Sequence, residues 1–299
     1  MHSRMTPSTA ILLTIPPLLW AGNAVVGRIV HTWVPPMTLN FLRWAIALVI
    51  LLPFASFIFR RGSGLWTSWR RFGLLGLLGV GLYNSLQYLA LQSSTPINVT
   101  LVAASMPVWM LLVGALFFHA RVTGKQIVGA ILSIAGVLLV LSRGDWHQLL
   151  AMRLVAGDIF MMLATISWSF YSWLLTLPKD PKEIRANWAA FLLAQVIYGL
   201  MWSGAFVAGE WVVSDARILW SWPLAAALLF VAVGPAVIAY RCWGTGVQRA
   251  GPGIAGFFSN LTPLFAAVMS SAFLGEMPHL YHMIAFGLIV GGIVFSSRR

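Results

Sequence analysis

Charge is scarce in this sequence, and acid scarcer still. Of 299 residues 9% are charged, where an ordinary soluble domain has roughly 25%. The single cysteine, Cys242, excludes an intramolecular disulfide and a cysteine metal cluster. No GxxxxGK phosphate loop occurs, so the chain contains no ATPase of that kind. His2, His31, His119, His147, His279 and His282 all fall near the ends of apolar stretches, and no HExxH pattern accompanies them. An intramembrane enzyme would need a nucleophile–base pair or a metal set at bilayer depth. Neither is visible, and no metal or cofactor is expected. Long polar stretches are missing too, so no gap holds a separate soluble domain.

What fills the chain is apolar sequence, 60% of it. Ten stretches approach the roughly 20 residues that cross a bilayer: 9–31, 38–59, 70–92, 96–119, 124–142, 154–177, 186–208, 217–241, 252–275 and 279–297. The expected fold class is all-α, a polytopic membrane protein of one integrated domain. The first stretch lacks a convincing cleavage site and reads as a retained span, not a signal peptide. Arg143, Asp145, Trp146, His147 and Arg153 suggest a short interfacial segment.

The net charge of +12 does not form a soluble basic face, so nucleic acid is not an expected partner. With the N-terminus in the cytoplasm, Arg4, Arg60, Arg61, Arg70, Arg71, Arg121, Lys125, Lys179, Lys182, Arg185, Arg249, Arg298 and Arg299 lie inside. Arg143, Arg153 and Arg217 lie outside. Thirteen against three predicts both termini on the cytoplasmic side of the inner membrane.

The second half echoes the first. A shift of 156 positions lays Leu91-Gln92 on Val247-Gln248, Pro96 on Pro252, Pro107 on Pro263, Phe117 on Phe273 and Gly136 on Gly292. Trp20 matches Trp168 at an offset of 148. Residues 1–148 and 149–299 then form two five-helix repeats. Five is odd, so the copies are expected to cross the membrane in opposite senses around a shared cavity. The loops agree: Arg60, Arg61, Arg70 and Arg71 follow the second span, but Glu210, Asp215 and Arg217 follow the seventh.

Trp20-Ala-Gly-Asn23 with Arg28 in the first span, Arg43 in the second, and two proline-centred spans each followed by a glycine-rich one form a recognisable set. So do Gly157-Asp158 before Ser167-Trp168 and the closing Phe273-Leu274-Gly275-Glu276. Together they resemble the EamA-type transporters of the drug/metabolite transporter superfamily over nearly the whole chain, and the aromatic density is similar to that of the YddG-type amino-acid exporters. The resemblance implies ten helices in two inverted halves. It also implies a central cavity lined by spans 1, 3, 4, 6, 8 and 9, with 5 and 10 as outer supports. Two departures stand out: His119-Ala120 replaces the Gly275-Glu276 of the second copy, and Arg28 stands where many relatives carry Lys.

Intramembrane polar residues face the interior, where they line a pathway or join helices. By helical spacing, Trp20 and Asn23 share a face with Gly27. Tyr83 and Gln87 share another, beside Asn84 and Tyr88. Asn98, Ser105 and Trp109 align, as do Trp168, Tyr171 and Ser172, Tyr240 and Trp243, and Gly253, Gly256 and Asn260. Each polar residue has two readings, cavity wall or plain helix–helix contact. Trp33, Trp66, Trp69 and Trp211 near span ends read as interfacial anchors. Mid-span Trp20, Trp109, Trp168 and Trp243 instead suit a cavity that stacks an aromatic solute or holds its ammonium group.

Pro107 and Pro263 kink equivalent spans, and Gly79 and Pro235 are further bending points. Arg43 faces either a substrate carboxylate or helix-end carbonyls. Asp158 and Glu276 sit near outside ends, as caps or snorkelling groups. The expected activity is secondary export of amino acids, aromatic ones included, or of related metabolites by alternating access. A broad-specificity drug/metabolite exporter and a passive channel are the alternatives. A lipid-embedded monomer suffices for such a cavity.

Overall fold

The computed structural model describes residues 5–94, 96–142, 144–150, 155–215, 217–274 and 280–297. Glu276 and Gly275 lie outside them, as do Arg143 and Arg153 of the expected interfacial segment. Among the described residues all regular structure is helical. A backbone in lipid has no water to bond, and a helix satisfies its polar groups internally.

The long elements in chain order are α1 (Pro7–Val30), α2 (Pro36–Ala55), α3 (Trp69–Ser93), α4 in two pieces (Pro96–Ala103 and Met106–Phe118) and α5 (Gly124–Leu141). They continue with α6 (Ala156–Thr176), α7 (Trp188–Val213), α8 (Trp222–Ala250), α9 in two pieces (Pro252–Ser259 and Leu261–Leu274) and α10 (Leu280–Ser297). A short helix, Trp146–Leu150, occupies the expected interfacial segment.

Polar residues set the starts. Thr6 caps α1 through the amide of Thr9, and Pro7 opens it. Thr123 and Gln126 form a reciprocal capping box on α5. Asn187 caps α7, and Ser221 caps α8. The start of α2 has no cap of its own. Glu210, from the far end of α7, accepts from the amides of Met37 and Thr38 at 2.9 Å each. A carboxylate there meets the positive end of the helix dipole.

Nine helices among the described residues are long and apolar enough to cross a bilayer, not the ten expected. The 252–275 stretch is not among the nine; residues 275–279 lie outside the described residues, and the stretch divides at Asn260 into pieces of 8 and 14 residues. Proline explains the division. Pro263 has no amide hydrogen for the carbonyl of Ser259, and its ring crowds that carbonyl; the first piece ends at Ser259. The same rule applies to Pro107 and Ala103, where the first piece of α4 ends. The two breaks lie 156 positions apart. Two π turns, Gly76–Leu82 in α3 and Ala232–Ile238 in α8, have the same separation.

α5 and α10 form a close pair. A Cβ on Gly129 would lie 2.7 Å from the carbonyl oxygen of Gly292, and one on Gly136 would lie 2.7 Å from Ile289. As numbering rises along α5 it falls along α10, so the two run antiparallel. Small residues permit this approach, which is how helices associate where lipid is as apolar as leucine. Exposed apolar side chains such as Val49, Phe54, Ile131 and Met201 cover the outer faces.

Candidate functional site

The π turn of α3 organises the centre of the bundle. A π turn displaces carbonyls from their normal partners, and here three successive ones are taken by neighbouring helices. Leu78 O accepts from Ser167 Oγ of α6 at 3.0 Å, Gly79 O from Tyr240 OH of α8, and Val80 O from Asn40 Nδ2 of α2 at 3.0 Å. Gly79 is required for a second reason: a Cβ there would sit 2.6 Å from the Tyr171 ring.

Around this turn lies a cluster of aromatic rings with Trp168 at its middle. Its ring centroid is 5.3 Å from Trp20, 4.7 Å from Tyr83, 4.9 Å from Tyr171, 5.2 Å from Tyr240 and 5.6 Å from Trp243. Trp168 and Trp243 are wholly buried. Trp243 Nε1 donates to Ser172 Oγ, and Tyr171 OH to Gln195 Oε1. Trp168 Nε1 has no partner.

A cavity of about 390 Å³ adjoins this cluster, within the roughly 300–1,000 Å³ of small-molecule sites. Its walls come from the Trp20–Ile29 part of α1, Tyr83–Leu91 of α3, Val99–Met106 of α4 and Ser259–Ala266 of α9. The proline breaks of α4 and α9 therefore both lie in the wall. Asn23, Asn84, Gln87, Thr100, Asn260 and Thr262 make it polar, and none of its described lining residues is charged. Ser259 Oγ and Asn260 Oδ1 are buried there without a hydrogen-bond partner.

Directly behind the wall is Arg43, fully buried. Its Nη1 donates to Asn84 Oδ1 at 2.9 Å, Tyr88 OH at 3.2 Å and Asn23 Oδ1 at 3.4 Å. Tyr88 OH in turn donates to Asn23, and Asn84 Nδ2 to Tyr240. Arg43 Nε and Nη2 have no partner.

Of the residues singled out by spacing, Trp20, Asn23, Tyr83, Asn84, Gln87, Asn260 and Pro263 line this cavity. Trp168, Tyr171, Tyr240 and Trp243 form the aromatic cluster at its closed end. Ser105 and Trp109 stand apart from the wall and bond each other, Nε1 to Oγ at 3.0 Å. The break at Ala104–Ser105 turns α4, so Val99, Thr100, Ala103 and Ala104 face the cavity in their place. Pro107 packs against Gly256 of α9, and Pro235 lies within the π turn of α8. Asp158 caps α6 through the Val155 amide and accepts from Ser94 Oγ of α3.

Beyond the cluster a smaller cavity of about 200 Å³ is lined by Tyr171, Tyr240, Gln195, Arg185, Trp188 and Arg241, among others. Spacing within single spans did not single out Gln195, although a glutamine inside an apolar run was a usable signal. The helices also pack closely where α4 meets α6 and where α1 meets α8. A Cβ on Gly114 would lie 2.3 Å from Trp173, and one on Gly246 would lie 2.4 Å from Leu13. At the same end Asp180 is clamped by Arg71 at 2.9 Å and by Arg185, tying the start of α3 to the turn after α6. A larger space of about 940 Å³ lies between the ends of α2, α3 and α7. Of its two carboxylates, Glu210 and Asp215, the first is committed to the start of α2.

The chain is similar along its length to known transporters. It is 26% identical to an uncharacterised transporter of Archaeoglobus fulgidus, covering 99% of each chain. It is also 26% identical to the aromatic amino acid exporter YddG of Ancylobacter novellus, over 94% of this chain and 93% of that one. Identity to the inner membrane transporter YedA of Escherichia coli is 24%, over 94% and 87%. A solved crystal structure at 22% identity shares the fold, with a TM-score of 0.73 over 98% of this chain and 97% of that one. The family match occurs twice, over residues 7–142 and 155–298. An integral membrane transporter with no enzymatic role, the chain belongs to the EamA-like transporter family.

Proposed function

We propose that the protein exports amino acids, aromatic ones among them, through the 390 Å³ cavity by alternating access between two inverted five-helix halves. The observation that carries this reading is the ring cluster around Trp168, which separates that cavity from the 200 Å³ one beyond it. A carrier needs a closed barrier thin enough to open, with a site beside it. Rings at the barrier also offer stacking faces to an aromatic side chain and π faces to an ammonium group.

Two pairs of contacts support the inverted arrangement. Residues related by a two-fold axis touch each other only where they lie near that axis. Trp20 and Trp168, matched by the sequence repeat, meet at 5.3 Å. Asn84 and Tyr240, which are 156 positions apart, share a hydrogen bond of 3.2 Å. The antiparallel run of α5 against α10 fits the same symmetry. With both termini cytoplasmic, as the basic residues favour, the larger of these two cavities opens outward and the Gly114–Trp173 and Asp180 contacts seal the inner end.

The test is a flux assay in liposomes with labelled L-phenylalanine, with and without a pH gradient. Saturable uptake accelerated by phenylalanine on the opposite side supports the reading. Flux that rises linearly with concentration identifies a channel, and absence of flux for every amino acid supplied refutes the substrate assignment.

A further inference from the structure

Among the described residues no carboxylate neutralises the charge of Arg43. Its three hydrogen bonds go to neutral side chains, none goes to a backbone carbonyl, and the other contact of the guanidinium is the Trp44 ring at 5.3 Å, which carries no counter-charge. Two further donor nitrogens are buried without partners. The sequence has seven acids in all, and those near the bundle are committed elsewhere. Asp180 is held by Arg71 and Arg185, Glu210 by the start of α2, and Asp158 by Val155 and Ser94. Asp145, Glu183 and Asp215 are exposed at the ends, and Glu276 falls at an outer end by sequence.

An unpaired guanidinium at bilayer depth is costly, and such residues mark substrate or ion pathways. The architecture does not demand it either. α7, the counterpart of α2 in the second half, carries no Lys or Arg between Trp188 and Val213. A structural cation required by a five-helix unit would be expected in both copies.

The place of the charge is also informative. Asn23, Asn84 and Tyr88, the three residues that hold Nη1, all line the 390 Å³ cavity. Among the described residues that line this cavity none is charged, and Arg43 stands directly behind its wall. Across the cavity Asn260 Oδ1 and Ser259 Oγ are unpartnered. One wall is thus backed by positive charge, and another offers a free acceptor.

We infer that Arg43 makes this cavity selective for a solute bearing a carboxylate, which docks at the Asn23–Asn84–Tyr88 wall with the guanidinium behind it. The inference rests on the cavity being the transport site, but not on the solute being an amino acid. Low surrounding dielectric strengthens the attraction, and removal of the cation leaves the wall neutral. Asn260 and Ser259 then suit the opposite, donor-bearing end of a zwitterion.

The experiment measures binding to the purified full-length protein as a shift in thermal midpoint, together with uptake into liposomes. The probes are L-phenylalanine, 3-phenylpropanoate, L-phenylalaninamide and phenethylamine, with sodium chloride as a simple anion at equal ionic strength. The two carboxylates are expected to bind wild type at least about ten-fold more tightly than the amide and the amine. In Arg43→Gln that preference is expected to fall to within about two-fold, while Arg43→Lys keeps part of it.

Equal binding of phenylalanine and its amide by wild type overturns the inference, as does a preference that Arg43→Gln leaves unchanged. Chloride that stabilises as strongly as 3-phenylpropanoate identifies a simple-anion site and also overturns it. Should Arg43→Gln not fold, the wild-type comparison decides alone. Binding of 3-phenylpropanoate without phenylalanine keeps the role of Arg43 and refutes the amino-acid reading. Transport of phenylalanine and its amide alike does the reverse.

Discussion

Trp168→Ala tests the barrier most directly. The indole is wholly buried, with five aromatic rings at centroid distances of 4.7–5.6 Å. Truncation of a buried Trp to Ala costs about 3–5 kcal/mol. The lower end applies here, because the unpartnered Nε1 means that no hydrogen bond is lost. About 3 kcal/mol corresponds to a fall in thermal midpoint of roughly 5 °C for a chain of this size. The functional consequence should be larger, since Trp168 stands between rings that line the 390 Å³ cavity and rings that line the 200 Å³ one. Exchange should therefore give way to leak, with net efflux of L-phenylalanine no longer accelerated by phenylalanine on the other side. Trp168→Phe keeps a ring in place and should retain acceleration. The assay is paired net-flux and counterflow measurement on the same liposomes, with the melting curve taken alongside. An alanine variant that melts several degrees lower yet exchanges like wild type would refute the barrier role. One that melts unchanged would refute the account of the cluster's energy.

Asp180→Asn should lower the thermal midpoint, at a cost of about 2–3 kcal/mol. The figure is moderated because Arg71 and Arg185 keep the carbonyls of Leu174, Leu175 and Leu177; an unchanged melting curve contradicts it. Gly129→Leu should separate α5 from α10 and destabilise the protein without altering relative affinities for substrates, as melting and competition binding would show. Gly114→Ala, whose Cβ would meet Trp173 at 2.3 Å, should favour opening at the sealed end. Labelling of a cysteine placed near Gly253 reports this, and unchanged labelling would count against a seal there. Tyr240→Phe removes the donor to Gly79 O and should cost about 1–3 kcal/mol by leaving that carbonyl unsatisfied, read as a lower melting point.

The fold was legible because lipid leaves the chain few options. Runs of apolar residue near bilayer length, with polar and basic breaks, specify helices almost regardless of tertiary context. The prolines were legible for the same reason: a missing amide hydrogen acts locally, and both α4 and α9 break four residues before one. The consequence of that break for the site was less visible. Ser105 and Trp109 align on an uninterrupted helix, but the turn at Ala104–Ser105 rotates the first piece of α4 relative to the second. Thr100 and Ala103 thus reach the cavity in place of Trp109. The π turns were hidden as well. Gly79 and Pro235 were readable as bending points, but nothing local says that three carbonyls will be handed to α2, α6 and α8. Gln195 and Asn40 find their partners across helices more than 20 residues away in sequence, and single-span spacing carries no information about such pairs.

Symmetry and chemistry make opposite demands on a duplicated carrier, and this site separates them. Elements that bend occur twice: the π turns of α3 and α8 and the proline breaks of α4 and α9, each pair at the same offset. If the halves are inverted as proposed, matched hinges let each of the two end states use the same motion with the copies exchanged. Groups that recognise a solute have no such need, because a solute with two different ends cannot bind a two-fold site symmetrically. Arg43 belongs to the first half and has no cationic counterpart in α7. Where the copies do meet, Asn84 faces Tyr240, an amide opposite a phenol. On this argument an Arg placed at Gly199, the position 156 residues beyond Arg43, would add no affinity for a carboxylate, and at so crowded a helix contact, where even a Cβ would lie 2.4 Å from Val80, it would abolish folding.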